Sequence, residues 1–526
     1  MIKQHVRSFL VTPALVALFA SCTVTPQPTV TPAVSSVQVT PATATVNAGA
    51  TQAFTATAFD AAGKTLGNVT FTWSSSNPNV ASVSAAGVAT GVTAGDATIT
   101  ATAEGKSATA TLHVQPAANT GSWSGVKQYG TTTQDSGYAI ASDAAGSVYA
   151  VGSVLGNLHG EQNTGGQDAY LVKFNADGTR AWTRLLGATG GTTTYVEVAY
   201  GVATDAAGNA YVTGYTTGTL HGTNAGDADV FLAKYAPDGT RTWVRQLGSP
   251  QHEYARAVTV TPAGHVYVVG ETRGALDGQA KAVPGSTTDW DAFVTQYDTN
   301  GNRAWTRLIG STSVDKANGV THDAAGNAYV VGQTGATLDG QTGPSQHGNA
   351  FVVKVAPDGS RTWTQLYAGT FASVVMAGNA SGAAVVGDEV HVVTPFHLAV
   401  LNTGTGALVR DHLFSSTAAY SGRSVSADPA GNVYVGGAFT GTSNGKADAA
   451  LIKFAPDGSV AWQRSFGSSE TDQTFGVTVT SQGAFLVGVT LGNLPGNTNA
   501  TPNCLGDPMC GMDAFVAGYA PDGTLR

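Results

Sequence analysis

The chain has 526 residues, 42% of them hydrophobic, enough apolar material for several packed domains. Only 11% are charged, far below the roughly 25% of an ordinary soluble protein; Gly, Thr, Ala and Ser dominate instead, the composition of an extracytoplasmic β-protein. A net charge of −9 leaves no basic stripe to neutralise phosphates, which argues against nucleic acid as a partner.

Residues 1–21 read as an export signal: Lys3 and Arg7 precede an apolar run from Phe9 to Ala20 that is too short to span a bilayer. The run ends in Leu18-Phe19-Ala20-Ser21-Cys22, which resembles the bacterial lipobox, with Phe19 where Leu is usual. That resemblance implies that Cys22 becomes the first mature residue and carries a covalent lipid; the alternative is an ordinary cleaved signal that contains a Cys. Each buried CH₂ of such an anchor contributes about 0.8 kcal/mol, so a multiply acylated Cys22 would hold the chain stably on a membrane surface. No other cofactor is expected. Residues 22–34 alternate Pro with Thr and Val, which favours extended chain and reads as a stalk.

Residues 35–115 change to short alternating strands, with turn residues at Ala62-Gly63, Asn77-Pro78-Asn79, Gly95-Asp96 and Glu104-Gly105-Lys106, the spacing of a β-sandwich. One of the aromatics Phe71 and Trp73 is expected in the inter-sheet core. The stretch Phe71 to Ala81, followed by Gly87-Val88-Ala89-Thr90-Gly91 and Gly95-Asp96-Ala97-Thr98-Ile99, resembles the bacterial Ig-like group 2 domain over its whole length. The resemblance implies a spacer. Residues 116–121 read as a linker.

Residues 122–526 are a repeat array. A strand-like phrase such as Asp168 to Phe174 is followed by a turn, Asp177-Gly178, and by a tryptophan, Trp182. A second landmark is a hairpin turn such as Asp205-Ala206-Ala207-Gly208-Asn209, followed by Ala210-Tyr211-Val212-Thr213-Gly214. Each unit carries four apolar runs, a Trp strand, a G-V-A-x-D strand, a Y-V-x-G strand and a D-A-F strand, and the phrases recur seven times. Four antiparallel strands in each of seven units predict an all-β architecture: an Ig-like sandwich followed by a seven-bladed β-propeller. The array opens on a Trp strand at Trp123 that has no D-A-F strand before it, and it ends at Pro521-Asp522-Gly523-Thr524, where another Trp strand is due. The first strand is therefore expected to complete the last blade and remove the open sheet edges. These units resemble SBBP repeats, with the fifth and seventh departing from the pattern, the fifth holding Leu408 where a Trp is usual.

Most repeated residues have structural work. Each Trp buries on the order of 200 Å², a gross ~5 kcal/mol between blades, and each D-G pair makes a hairpin turn. The loops between the Y-V-x-G and D-A-F strands are unequal in length, and all must leave on one face, the expected binding surface. Within them the phrase L-x-G places His159, His221, Asp277 and Asp339 at one aligned position, with Asn444 in a related S-N-G. If those loops turn inward, the four L-x-G side chains could ring an axial metal; the plainer alternative is a capped, solvated rim, and no metal is expected. Trp290, in the longest of these loops, is a candidate for stacking on a sugar or a partner protein, or else for covering its own loop. Cys504 and Cys510 lie in a Gly/Pro/Asn-rich loop and are expected to form a small disulfide, a metal site being the weaker alternative.

No nucleophile elbow, zinc-protease helix, phosphate loop or dinucleotide fingerprint occurs. The expectation is a monomeric, lipid-anchored, non-enzymatic envelope protein that presents a propeller to a protein or glycan. Its rivals are an extracytoplasmic polysaccharide lyase or hydrolase with an axial active site, and an envelope scaffold component.

Overall fold

The computed structural model describes residues 33–93, 95–115, 123–188, 195–286, 288–343, 348–367, 370–371, 374–375, 382–414, 420–440, 446–499 and 511–526. The export signal, Cys22, most of the stalk, the linker, Asn444, Cys504 and Cys510 lie outside them. All the regular structure described is β-strand.

Residues 33–115 form a sandwich. Thr43–Asn47 runs parallel to Lys106–Gln115, which pairs in turn with Gly95–Ala103 and Thr72–Ser75. The facing strands are Ser36–Thr40, Thr55–Phe59 and Thr65–Leu66, with Thr51–Ala53, Val88–Gly91 and Ala81–Val83 in a third sheet. Alternation along Gly95–Ala103 buries Ala97, Ile99, Ala101 and Ala103 while the threonines between them stay half-exposed. Phe71 and Trp73 both pack, half-buried, against this core, and the Trp73 ring lies so close to Gly87 that a Cβ there would sit 2.7 Å from it.

From residue 127 onward the chain makes seven four-stranded antiparallel sheets. In six of them the order follows the sequence, as in Asp135–Ser142, Val148–Val154, Asp168–Phe174 and Arg180–Leu186. The first strands of successive sheets lie side by side, and Asp472–Thr480 of the last adjoins Asp135–Ser142 of the first, so the sheets close into a ring with these strands innermost. Closure uses the expected strand: Lys127–Tyr129 pairs with Asp513–Tyr519 as the outer strand of the last sheet. Trp123 precedes that strand, and its ring lies between Phe174 and Phe485, from blades at the two ends of the array.

The repeated phrase is a latch between blades. The indole N–H groups of Trp182, Trp243, Trp305, Trp363 and Trp462 donate to the carbonyls of Pro237, Thr299, Pro357, Thr403 and Pro521, all in the outer turn of the next blade, at 3.0 to 3.2 Å. The lysine of the D-A-F-L-x-K phrase reaches the same acceptors, as Lys173 does Pro237 and Lys234 does Thr299. The turn glycine is required twice over: Gly239 has φ +84°, and a Cβ on it would lie 2.8 Å from the Trp182 ring.

The fifth blade breaks this pattern, and the register corrects one expectation. In blade one Lys173 faces Trp182 just before a bulge; in blade five Val400 faces Arg410 just before the equivalent bulge. Arg410, not Leu408, therefore occupies the tryptophan position. Leu408 points out to solvent.

On the face where the unequal loops emerge, buried carboxylates replace apolar packing. The first residue of each D-A-F strand clamps its own loop: Thr164, Ala225 and Ala282 donate backbone N–H groups to Asp168, Asp229 and Asp291 at 2.8 Å. Five inner strands open on an acid that clamps the preceding loop, as Glu253 accepts from the Ser249 N–H and hydroxyl at 2.6 Å. Burial pushes Asp135 up to about 7, helped by the neighbouring Asp513, and Asp315 up to about 6, helped by Asp291. The fifth and sixth inner strands open on Gly382 and Tyr420 instead of an acid, and the D-A-F strands of the fourth and fifth blades open on Asn349 and His397. Each carboxylate disappears together with the one it would repel.

Candidate functional site

The inner strands line an axial channel with a cavity of about 480 Å³. Their sequences would ordinarily alternate, but six of the seven carry a β-bulge, between Gly137 and Ala139, Ala199 and Gly201, Ala255 and Ala257, Ala317 and Gly319, Gly422 and Ser424, and Thr474 and Gly476. A bulge leaves one residue unpaired and re-aims its side chain. The six residues so placed are Tyr138, Tyr200, Arg256, Asn318, Arg423 and Phe475, and all six line the channel. The fifth inner strand pairs regularly and contributes only Gly382 and Ala383.

Around the ring these side chains form an arc across five adjacent blades. Tyr138 sits in the middle, 5.0 Å from Tyr200 and 5.8 Å from Phe475 between ring centroids. An arginine caps each end: Arg256 lies 4.7 Å over Tyr200 and Arg423 lies 4.9 Å over Phe475. Asn318 and the small residues of the fifth blade occupy the opposite wall.

The two arginines differ in charge compensation. Arg256 forms a fork with Glu271, Nε at 3.0 Å and Nη2 at 2.6 Å, so that despite its burial the carboxylate holds its pKa above the ordinary value. Arg423 donates only to the Gln473 side chain, at 3.4 Å, and its buried Nε has no partner. Among the described residues no carboxylate pairs with Arg423, and burial lowers its pKa. Among the described residues, Arg423 is therefore a cation of the channel with no carboxylate against it.

Trp290 does not line the channel but is joined to it through other rings. It is half-buried rather than free, stacked on Tyr254 at 5.5 Å, with Arg273 4.4 Å over its ring and Lys316 5.6 Å away. Tyr254 packs edge-on to Tyr215, which stacks on Tyr200, so the aromatic arc continues from the channel to the rim. The carbonyl of Trp290 accepts the Asp315 N–H at 2.7 Å, which fixes the loop to the next blade.

The L-x-G residues are elsewhere. His159, Asp277 and Asp339 adopt φ values of +54°, +54° and +51°, and each loop turns outward over the outer strand of its own blade. His159 Nδ1 lies 2.9 Å from the Thr183 hydroxyl, Asp277 pairs with Arg303, and Asp339 pairs with Arg361 and accepts from Thr364. Burial, with Arg180 nearby, pushes His159 down to about 4. His221 is exposed, its backbone N–H 3.2 Å from Gln246 on the same kind of outer strand. The four do not converge on the axis, and no group of three or more His, Cys, Asp or Glu suited to a metal occurs among the described residues.

The bacterial Ig-like domain family (group 2) matches residues 33–114, and the SBBP β-propeller repeat family matches residues 181–220 and 304–338. The chain carries a group 2 bacterial Ig-like domain followed by SBBP propeller repeats. A β-propeller domain of unknown function (DUF5122) also matches residues 429–460. The regulatory protein FlaEY of Caulobacter vibrioides is 29% identical over 140 residues, which cover 26% of this chain and 15% of FlaEY. Among solved structures, a gluconolactonase of Xanthomonas campestris aligns with 15% identity and a TM-score of 0.33, covering 59% of this chain and 86% of the enzyme. The WD40 domain of Neurospora crassa Pan2 aligns with 9% identity and a TM-score of 0.40, covering 74% of this chain and 90% of that domain. Neither likeness is close enough to pass an activity to this chain. Ig-like and propeller domains of these kinds are typical of extracellular proteins, and among the described residues no helix is long and apolar enough to cross a membrane.

Proposed function

We propose that this is a lipid-anchored envelope protein whose propeller binds a saccharide bearing an acidic group in its axial channel. The observation that carries the reading is the bulged arc: three aromatic residues line the wall that a sugar ring would meet, and Arg423 offers a charge to a carboxylate or sulfate. A cavity of about 480 Å³ suits a short saccharide rather than a folded partner. Among the described residues that line it none is a carboxylate or histidine, so this lining favours uptake over the paired-acid chemistry of glycoside hydrolysis. The Ig-like spacer and the stalk carry this site away from the lipid on Cys22.

The test is calorimetric titration of the full chain with oligogalacturonate and with a neutral oligosaccharide of equal length. Acidic chains should bind, and Arg423→Gln should weaken them about tenfold, or ~1.4 kcal/mol, while leaving the melting temperature unchanged. Failure of both saccharides to bind would overturn the channel as a glycan site; equal binding of both, unaffected by Arg423→Gln, would overturn only the acidic specificity.

A further inference from the structure

A second cavity, of about 310 Å³, opens between the fifth and sixth blades and is separate from the axial channel. It lies where the latch is broken. At the other junctions the outer turn of one blade receives the preceding blade's tryptophan: Gly178, Gly239, Gly301, Gly359, Gly406 and Gly523 all lie against an indole ring. At this junction a Cβ added to Gly458 would meet only the Cδ and Nε of Arg410, at 3.7 and 3.4 Å. Arg410 is drawn aside to Glu389, 2.5 Å away, and the volume an indole fills elsewhere stays open.

The walls keep the character of the other latches. Leu398, Val400 and Phe454 supply apolar surface, His412 stands edge-on to Phe454 at 4.8 Å, and Pro456 is the counterpart of Pro237, whose carbonyl takes an indole N–H. His391 replaces the tyrosine of the Y-V-x-G strand. Its side chain is 7% exposed and neither ring nitrogen has a hydrogen-bond partner. Burial holds His391 down at about 4, so its ring adds no charge at neutral pH, and the charged side chains in the lining are Arg410, Asp411 and Asp457.

The surface around the mouth is the apolar part of the propeller's rim. Among the described residues seven large hydrophobic side chains are exposed, and four of them, Leu408, Val409, Leu413 and Val460, sit on the two outer strands that flank this cavity. Exposed apolar side chains on the strands that flank a pocket are surface of the kind a protein partner covers.

We infer that this junction is a docking site for a partner polypeptide that inserts a tryptophan side chain into the vacant latch. The indole would pack on the Gly458 turn, donate its N–H to the Pro456 carbonyl and leave its flanking residues against Leu408, Val409 and Val460. The inference is independent of the glycan reading, because the two sites share no lining residue.

Ligand-detected NMR on the full chain with N-acetyl-L-tryptophanamide, and with N-acetyl-L-leucinamide as comparison, tests it. The tryptophan amide should bind saturably and the leucine amide should not. Arg410→Trp, which supplies the missing indole from within, should weaken binding at least about tenfold and raise the melting temperature, whereas Arg410→Ala should retain binding. Equal response to both amides, or undiminished binding by a folded Arg410→Trp chain, would overturn the proposal. Should Arg410→Trp fail to fold, the His391 ring resonances of the wild-type chain decide: they must shift on addition of the tryptophan amide, and their indifference would be equally fatal.

Discussion

The indole of Trp182 crosses a blade boundary to the carbonyl of Pro237, and two residues on, Arg184 stacks on that indole and donates its Nε to the carbonyl of Gly239 at 2.9 Å. One short phrase thus ties the first blade to the second through a ring, a hydrogen bond and a cation. Trp243 makes the same set of contacts with Thr299 and Gly301 through itself and Arg245. Trp243→Phe should keep most of the packing and lose one hydrogen bond, costing about 1 kcal/mol. Trp243→Ala should also leave a cavity and cost roughly 3–5 kcal/mol. Urea denaturation midpoints of the two variants measure the difference; equal losses would mean that the hydrogen bond, and not the ring, holds the blades.

The buried acids give the propeller an inverted pH profile. Asp135 is raised to about 7 and Asp315 to about 6, first by burial and then by the neighbouring Asp513 and Asp291, while an unfolded Asp titrates near ~3.9. Between those values the folded state binds more protons than the unfolded one, so the stability these groups contribute is fully present below about pH 4 and is lost as the pH rises to about 7. The melting temperature should therefore fall between pH 5 and pH 8. Asp135→Asn should flatten that slope and stabilise the chain at pH 8, as a scan of melting temperature against pH would show.

Ring closure rests on very few residues. Lys127–Tyr129 supplies three paired positions to the last blade, and Gln128 donates its side-chain amide to Asp513 at 3.0 Å and to the Gly492 carbonyl at 3.1 Å. A chain beginning at residue 123 should retain a cooperative melt, whereas one beginning at residue 131 should expose the edge of Asp513–Tyr519 and aggregate. Light scattering during thermal unfolding separates the two outcomes.

What the sequence disclosed follows the physics of repetition. Turn phrases such as Asp205-Ala206-Ala207-Gly208-Asn209 and the D-G pairs are local, so they announce the blades and the latch residues without any knowledge of neighbours. Leu408 is the more tryptophan-like side chain, but Trp182 follows its turn glycine Gly178 by four residues, and the same count from Gly406 reaches Arg410. Three of the L-x-G residues, His159, Asp277 and Asp339, share a left-handed backbone, but the direction of a loop depends on what its outer strand offers, here Thr183, Arg303 and Arg361. The channel side chains escaped notice for a related reason. In D-S-G-Y-A-I, E-V-A-Y-G-V, Y-A-R-A-V and Q-T-F-G-V they are the variable position inside otherwise constant phrases, an inserted residue that spoils alternation. That combination of local irregularity and variation within a regular repeat was the available sign.

The bulge makes a last expectation specific. Tyr138 is at the centre of the arc and touches a ring on either side, but it is an unpaired residue at the bulge, so its side chain contributes to the channel and little to the ladder. Tyr138→Ala should lower affinity for oligogalacturonate by about tenfold or more, since a stacked ring contributes on the order of 1–3 kcal/mol, with little change in melting temperature. Phe485→Ala, which removes a fully buried ring packed against Trp123, should do the reverse and destabilise the ring without altering the channel. Titration and thermal unfolding of both variants check the pair; a Tyr138→Ala chain that melts early but binds normally would assign the arc to packing instead of recognition.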